Sequence, residues 1–354
     1  MSKTKSRNLS VDFIRAFAIL LVILGHSIQY GSGKAFVSDA LYYENPLFRW
    51  IYTFHLPLFA VISGYVLTYS LHHRTRDLIL QKVRTLLLPV FVLIAIEYGI
   101  HLCLYHPGNH PAAILRGFAH NVLTSYWFFW AIFFDSLVVI LVEKYAKKPF
   151  VWYVILIAAS LFVPNEYNSN LYVFLLPYMI VGCVLHHLQD SRPVPGRRAL
   201  TILYLSNAVL YVILFIFFHT NCYIYTTHTY LFGDLNIVFQ LLIDLYRWLI
   251  GFSGILLVVP PLLYLYQKSS SSAATRLIVT AGQNTAPLYI INNYFVLILK
   301  RLPLTPNPLF WVLETAVDLL ISVPVILLVH KSRLLSLLLF GQQGKGRHTR
   351  AKKS

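Results

Sequence analysis

The sequence is poor in charged residues and in cysteine. Asp, Glu, Lys and Arg make up only 12% of its 354 residues, and 57% are hydrophobic. A soluble domain is about a quarter charged, so this composition excludes an ordinary soluble protein and predicts a chain that crosses a membrane several times. The three cysteines, Cys103, Cys183 and Cys222, are far apart in the sequence. They have neither the spacing of a metal site nor an obvious disulfide partner.

Hydropathy predicts an all-α fold with about ten transmembrane helices. The predicted spans are residues 10–30, 48–71, 83–104, 121–142, 150–164, 170–188, 200–219, 236–266, 277–299 and 308–330. The fifth span is short and the eighth is long, so we expect a tilt or a break in both. The first span follows a short basic leader, but it is too long and too polar for a cleaved signal peptide. We therefore expect it to be retained.

Lysine and arginine are distributed unequally between the two predicted sides of the membrane. Of the 29, 22 fall on the side of the N-terminus and 5 on the other. The positive-inside rule then places both termini in the cytoplasm. The net charge of +16 lies in alternate loops and does not indicate a nucleic-acid partner. Residues 1–330 are predicted to form the membrane domain and 331–354 a basic cytoplasmic tail, whose end, GKGRHTRAKKS, should lie at anionic lipid head groups with no fold of its own.

The first predicted helix carries Asp12, Arg15 and His26. Arg15 and His26 are eleven residues apart, a rotation of about 1100°, so both side chains lie on one face, roughly 16 Å apart along the axis. Ionisable residues at such depth are costly and mark functional sites by default. The alternative is that Asp12 and Arg15 anchor the helix at the interface and that His26 is a buried structural histidine.

The second and third predicted helices contain further candidates. FHLPLFAVISGYVL holds His55 and Ser63, and on its own it is typical of a proline-kinked helix whose Ser63–Gly64 seam allows close packing. QKVRTLLLPV opens the third helix with Lys82 and Arg84. These two cations are explained equally well by positive-inside anchoring and by contact with phosphate oxygens.

Arg-x10-His in VDFIRAFAILLVILGH, followed by His-x-Pro-Leu-Phe and Ser-Gly, resembles the integral-membrane acyltransferase-3 family. Its members move acyl groups from cytosolic acyl-CoA to sugars and other acceptors. The segments QKVRTLLLPV, SYWFFWAIFFDSL with Trp127, FLLPYMIVGCVL and GQNTAPLYIINNYF also resemble the family, so the resemblance runs from helix one to about helix nine. In relatives the last segment often ends in His, whereas this chain has Asn292 and Asn293. Some relatives append an esterase-like domain; here only the tail follows, so we expect the membrane part to act alone or with a separate partner.

The resemblance implies a multi-pass inner-membrane O-acyltransferase. The donor would be acetyl-CoA or another acyl-CoA, with no bound cofactor, and the acceptor a hydroxyl of a cell-envelope or exported saccharide or glycolipid. Membrane lipids and proteins of envelope-glycan biosynthesis would be its partners. His26 would act as general base or transient acyl carrier, with Arg15 positioning the donor. The implied substrate-binding residues are Asp12, His55, Ser63, Lys82, Arg84, Trp127, Asn292 and Asn293.

Two other functions and two structural details stay open at this point. Buried charges and broken helices also fit a transporter or flippase of a lipid-linked saccharide or small solute, but no paired halves are visible; a polysaccharide polymerase would usually have a larger outer loop.

The histidines of the outer loops, among them His219 and His228, lack zinc-motif spacing, so we expect no metal. Asp244 and Arg247 are three residues apart on one helix, which favours a structural ion pair.

Overall fold

The structure is a computed structural model that describes residues 7–105, 111–189, 196–233 and 235–342. Within these ranges the chain forms helices and connecting segments and no β-strand. The helices are α1 (Leu9–Tyr30), α2 (Lys34–Ser38), α3 (Pro46–Thr68), α4 (Thr75–Lys82), α5 (Leu88–Tyr105), α6 (Pro111–Thr124), α7 (Trp127–Tyr145), α8 (Pro149–Ser160), α9 (Ser169–Gln189), α10 (Arg197–Phe217), α11 (Ile237–Ser269), α12 (Ala273–Gln283), α13 (Thr285–Leu299), α14 (Pro308–His330) and α15 (Arg333–Phe340). A π-helical turn, Val83–Leu87, joins α4 to α5.

Seven helical segments of the described chain are long and apolar enough to cross a membrane: α1, α3, Thr75–Leu104, α9, α10, α11 and α14. The bent pair α6–α7 would be an eighth, and α8 and α13 are shorter apolar helices. Each predicted span coincides with one of these segments. The prediction of an all-α polytopic membrane protein is therefore confirmed.

Two predicted spans prove to be interrupted. The span 121–142 contains the boundary between α6 and α7, where the axis turns by 68°. Tyr126 at this boundary has a left-handed backbone with φ of 51°, which a helix cannot continue through, and its hydroxyl donates to Glu97 at 3.2 Å. The span 277–299 is broken at Asn284, between α12 and α13. Helix α11, in contrast, runs unbroken for 33 residues.

Helix α1 lies at the centre of the helix bundle. It contacts α3, α11, α12, α13 and α14, and such an arrangement allows its polar side chains to face protein rather than lipid. The contact with α12 is so close that a Cβ on Gly282 would overlap the backbone carbonyl of Asp12.

Helices α3 and α9 cross with their backbones nearly touching. A Cβ on Gly64 would overlap the carbonyl of Met179, and a Cβ on Gly182 would overlap the carbonyl of Val61. Small residues permit such close crossings in membranes, where dispersion contacts replace the hydrophobic effect between helices. The packing seam predicted at Ser63–Gly64 is confirmed, and it fixes α3 where His55 and Ser63 face the centre.

A short helix that hydropathy did not predict, α15, follows the last span. Ser332 caps it by accepting from the backbone N–H of Leu335 at 3.2 Å, and Gly341 ends it with a left-handed φ of 63°. It packs on α5, α13 and α14 and brings Phe340, which is buried, towards the centre. The basic segment GKGRHTRAKKS lies outside the described residues, so its predicted lack of a fold stays a prediction.

Candidate functional site

A cavity of about 380 Å³ lies beside α1 and is lined from Arg15 to His26. Its wall comes from α1, α3, α4 with the π-helical turn, α7, α12, α13, the loop between α10 and α11, and the end of α15. The volume is within the usual range for a small-molecule site. Both residues of the first-helix motif thus face one chamber, as their spacing predicted.

Basic and amide side chains line the Arg15 end of the cavity. Arg15, Lys82, Gln81, Gln283 and Gln342 all contribute to the wall there. Among the described residues no carboxylate lies within ion-pair distance of Lys82. Two cations with this little compensation create a positive potential that favours an anionic ligand.

Asp12 lies behind the cavity wall, next to Arg15. It accepts two hydrogen bonds from Arg7, at 2.5 and 2.8 Å, while Arg15 approaches it only to 3.7 Å. Because Arg7 holds the carboxylate in a fork, Arg15 is only partly neutralised. Its guanidinium is accordingly available to a ligand in the cavity.

The His26 end is organised by a chain of buried polar groups. His26 Nδ1 lies 2.5 Å from Asn292 Oδ1, Asn292 Nδ2 donates to Asp318 at 2.7 Å, and Ser322 donates to the same carboxylate at 3.3 Å. Asn292, Asp318 and Ser322 are all at most 1% exposed. Since Asp318 can only accept from the amide NH₂, the amide oxygen must face His26, and Nδ1 must carry the proton. Nε2 is then left with its lone pair.

A second imidazole faces the same cavity. His55 is 2% exposed and its Nδ1 lies 2.8 Å from the carbonyl oxygen of Ile51, so this nitrogen also carries the proton and Nε2 is the acceptor. Tyr52 packs edge-on against it with ring centroids 4.6 Å apart. The imidazoles of His26 and His55 thus line one cavity.

The sequence-predicted site residues fall into three groups. Arg15, His26, His55, Ser63, Lys82 and Trp127 line the cavity. Asp12 and Asn292 lie directly behind Arg15 and His26. Arg84 and Asn293 lie outside the wall: the structure does not bring them to the site. Arg84 is two residues after Lys82 and lies in the π-helical turn, so it is rotated by roughly half a turn to the opposite face. Asn293 donates to the backbone carbonyl of Tyr289 at 2.8 Å.

Several residues of the site were missed by the sequence analysis. Tyr52, Tyr225 and Tyr289 line the cavity, but tyrosine is common in this chain and none stands in a diagnostic pattern. Asp318 was visible as a carboxylate within a predicted span, which is a functional signal. Its partner could not be identified, because the contact with Asn292 joins residues 26 positions apart in different helices.

The predicted ion pair on α11 is confirmed. Arg247 and Asp244 are both buried, and Arg247 Nη1 donates to Asp244 Oδ1 at 3.0 Å. Because the two residues are three positions apart on one helix, their side chains meet and neutralise each other's charge. Neither residue lines the central cavity.

Glu143, Cys183 and His187 form a group that could hold a metal ion, with ligand atoms all within 4.8 Å of one another. None of the three lines the central cavity. His187 Nε2 lies 3.1 Å from Glu143 Oε2, and Tyr153 donates to Glu143 Oε1 at 2.7 Å. These contacts account for the cluster as a polar link between α7, α8 and α9 without an ion, and the expectation that the chain holds no metal stays a prediction.

Comparison with known proteins adds an independent finding. The chain is 29% identical over 137 residues to a nodulation protein NolL of Mesorhizobium japonicum, a match that covers 38% of this chain and 36% of that protein. It is 30% identical over 132 residues to the NolL protein of Sinorhizobium fredii, covering 36% of this chain and 34% of the relative. The matched part is thus about a third of each relative. No solved structure matches the chain.

The match to a family model is far more extensive. Residues 8–331 match the acyltransferase-3 family, which is described as an acyltransferase domain. This range contains all of α1 to α14, while Arg7 and the whole of α15 with its cap Ser332 lie outside it. The chain belongs to the acyltransferase-3 family.

Proposed function

We propose that the protein is an O-acyltransferase of the cytoplasmic membrane that moves an acyl group, most simply acetyl, from cytosolic acyl-CoA to a hydroxyl of a cell-envelope or exported saccharide. The observation that carries the proposal is that one cavity joins a cationic end, at Arg15 and Lys82, to the His26 imidazole. Membership of an acyltransferase family supports it over a transporter, a flippase or a polymerase. No nucleic acid has a role in it.

The cationic end suits the donor. The charge of the loops predicts that this end faces the cytoplasm, where acyl-CoA is found, and the phosphates of CoA are anionic ligands that Arg and Lys bind well. Arg15 and His26 are separated by roughly 16 Å along the axis. The long pantetheine arm of CoA would span this distance and bring the thioester to His26.

The His26 end suits the chemistry of acyl transfer. The Nε2 lone pair takes the proton of the acceptor hydroxyl as its oxygen attacks the thioester carbonyl. The tetrahedral intermediate then collapses, the carbon–sulfur bond breaks, and the CoA thiolate takes the proton back from Nε2. Asn292, backed by Asp318, accepts from Nδ1–H throughout and stabilises the transient imidazolium. The products are an ester and free CoA.

A second route uses the same nitrogen as a nucleophile. Nε2 would attack the thioester carbonyl and CoA would leave as its thiolate. The acyl-imidazole would then pass its acyl group to a hydroxyl of the saccharide or of a partner protein of envelope-glycan biosynthesis, and the proton of that hydroxyl would pass through the freed Nε2 to solvent, from which the thiolate is protonated. The routes differ in one observable: only the second places acyl label on the protein when no acceptor is present.

The test uses inverted membrane vesicles that contain the envelope saccharide and receive radiolabelled acetyl-CoA on their cytosolic face. We expect label in saccharide and release of CoA, and loss of both in His26→Ala and in Arg15→Ala at matched expression. Arg84→Ala is the matched control, because Arg84 is a neighbouring cation outside the cavity wall. Full transfer by a folded, inserted His26→Ala would overturn the assigned role of His26. Absence of CoA release from the wild type with acetyl-CoA and succinyl-CoA would overturn the proposed function.

A further inference from the structure

The loop between α10 and α11 is held by one buried side chain. Arg247 of α11 is 2% exposed and donates to the backbone carbonyls of Cys222 at 2.8 Å, Tyr223 at 3.0 Å and Thr227 at 2.9 Å. An arginine has five N–H donors in a rigid fork, and here they bind carbonyls both before and after Tyr225. The backbone on both sides of Tyr225 is therefore fixed.

Tyr225 itself extends into the central cavity. It is 38% exposed, and it is part of the cavity wall. Its ring packs edge-on against Tyr52 of α3, with centroids 6.1 Å apart, and against Trp127 of α7 at 6.2 Å. Three aromatic side chains from three separate elements thus line the cavity that His26 and His55 also line, and Tyr52 packs directly against His55.

The chemistry of this aromatic cluster fits a sugar ring. Aromatic faces bury the C–H face of a sugar, while tyrosine and tryptophan retain polar groups that bind hydroxyls. The Tyr225 hydroxyl is protonated at neutral pH, since the ordinary pKa of a tyrosine is about 10, and it can therefore donate to a sugar oxygen. Among the described residues the cavity wall contains no carboxylate, and its lysine and arginine, Lys82 and Arg15, belong to the cationic end, so a neutral ring is favoured over an ionic one at the aromatic cluster.

We infer that Tyr52, Trp127 and Tyr225 form a subsite for one neutral sugar ring of the acceptor, and that Arg247 is the positioning residue that holds Tyr225 in it. This inference rests on the proposed function, because it assigns the acceptor half of the same cavity. The sugar ring stacks among the three aromatic side chains and presents its hydroxyl to Nε2 of His26.

The first test compares KM values in the vesicle assay. The acceptor is varied at saturating acetyl-CoA, and acetyl-CoA is then varied at saturating acceptor. Tyr225→Ala should raise the acceptor KM roughly tenfold with little change in the KM for acetyl-CoA. Tyr225→Phe, which keeps the ring, should lose less. Tyr230→Ala is the matched control: Tyr230 lies in the same loop, packs against Phe232 and does not line the cavity. A rise in the acetyl-CoA KM alone would overturn the subsite by assigning the aromatic cluster to the acyl group.

The role of Arg247 is tested by Arg247→Lys, which keeps the charge beside Asp244 but lacks the fork that reaches both sides of Tyr225. It should raise the acceptor KM about as much as Tyr225→Ala, and the double variant should show no further rise. Additive effects would overturn the positioning role. A fall in kcat with unchanged acceptor KM would overturn it as well.

A binding measurement separates this inference from the proposed function. The probe is the deacylated envelope saccharide, labelled at its reducing end, and its fluorescence anisotropy is followed with purified protein in nanodiscs. Weaker binding by Tyr225→Ala and Trp127→Ala than by wild type and Tyr230→Ala supports the subsite even where no transfer is seen. Equal binding by all four proteins, or no binding by the wild type, overturns the subsite and leaves a measured acyl transfer intact.

Discussion

Asn292→Ala is the most informative substitution in the relay behind His26. It removes the acceptor of the Nδ1 proton without altering any group that lines the cavity. Two effects follow from this loss. The transient imidazolium loses a stabilising partner, and the imidazole is no longer held in the tautomer that leaves the Nε2 lone pair available.

The size of the effect can be worked out from these two contributions. A hydrogen bond to a charged group contributes about 1.5–3 kcal/mol and a neutral one about 1 kcal/mol, so only the difference between them is lost between ground and transition state. That difference is about 0.5–2 kcal/mol, and the freed tautomer adds about 1 kcal/mol, so we expect a total of about 1.5–3 kcal/mol, which corresponds to a kcat roughly 10- to 150-fold lower. The acyl-CoA KM should stay nearly constant, because Arg15 and Lys82 are untouched.

The assay is CoA release from vesicles or nanodiscs, with wild type, Asn292→Ala, Asp318→Ala and the double variant compared at matched folding. Asp318 acts through Asn292, so the double variant should be no slower than Asn292→Ala alone. Asn207→Ala is the matched control, since Asn207 is another buried asparagine that donates to the backbone carbonyl of Ser253 at 3.0 Å and does not line the cavity. A kcat within twofold of wild type for folded Asn292→Ala, or strictly additive losses with Asp318→Ala, would refute the relay.

Two further substitutions test the donor end and the helix crossing. Lys82→Ala should raise the acyl-CoA KM roughly 5- to 30-fold at low salt and less at high salt, because counterions screen the charge. The control Arg84→Ala should keep this KM within about twofold of wild type. A salt-independent rise, or equal effects of both variants in steady-state kinetics, contradicts the assignment of Lys82 to the donor site. Gly64→Ala places a Cβ against the Met179 carbonyl and should destabilise the protein by about 1–3 kcal/mol, seen as a lower Tm in detergent. Gly99→Ala, where a Cβ meets nothing within 4 Å, should be neutral or slightly stabilising; an equal loss of Tm in both variants contradicts the close crossing.

Local periodicity was sufficient to predict the core of the fold and half of the site. The spacing of Arg15 and His26 is a property of one helix, and both side chains indeed line the cavity. Hydropathy also located every long span, because burial in lipid requires a continuous apolar run. It averages over a window, however, and therefore passed over the breaks at Tyr126 and Asn284.

The rest of the site depends on contacts between distant parts of the chain. The hydrogen bond from His26 to Asn292 joins residues 266 positions apart, and no local pattern encodes it. Tyr225 reaches the cavity only because Arg247 holds its loop, which a sequence shows as no more than an ion pair with Asp244. Arg84 was predicted as a binding residue because it is basic and close to Lys82. It lies on the opposite face of the helix, outside the cavity wall.

The cationic end of the cavity has a consequence for the leakage of ions across the membrane. The cavity extends roughly 16 Å along α1, which is about half of the hydrocarbon thickness, so less apolar material separates the two sides of the membrane there. Protons and metal cations that enter the cavity from its cationic end meet Arg15 and Lys82 first, and fixed positive charges in a pore exclude cations. The same two side chains that attract an anionic donor should thus keep the membrane electrically sealed while the donor site is empty.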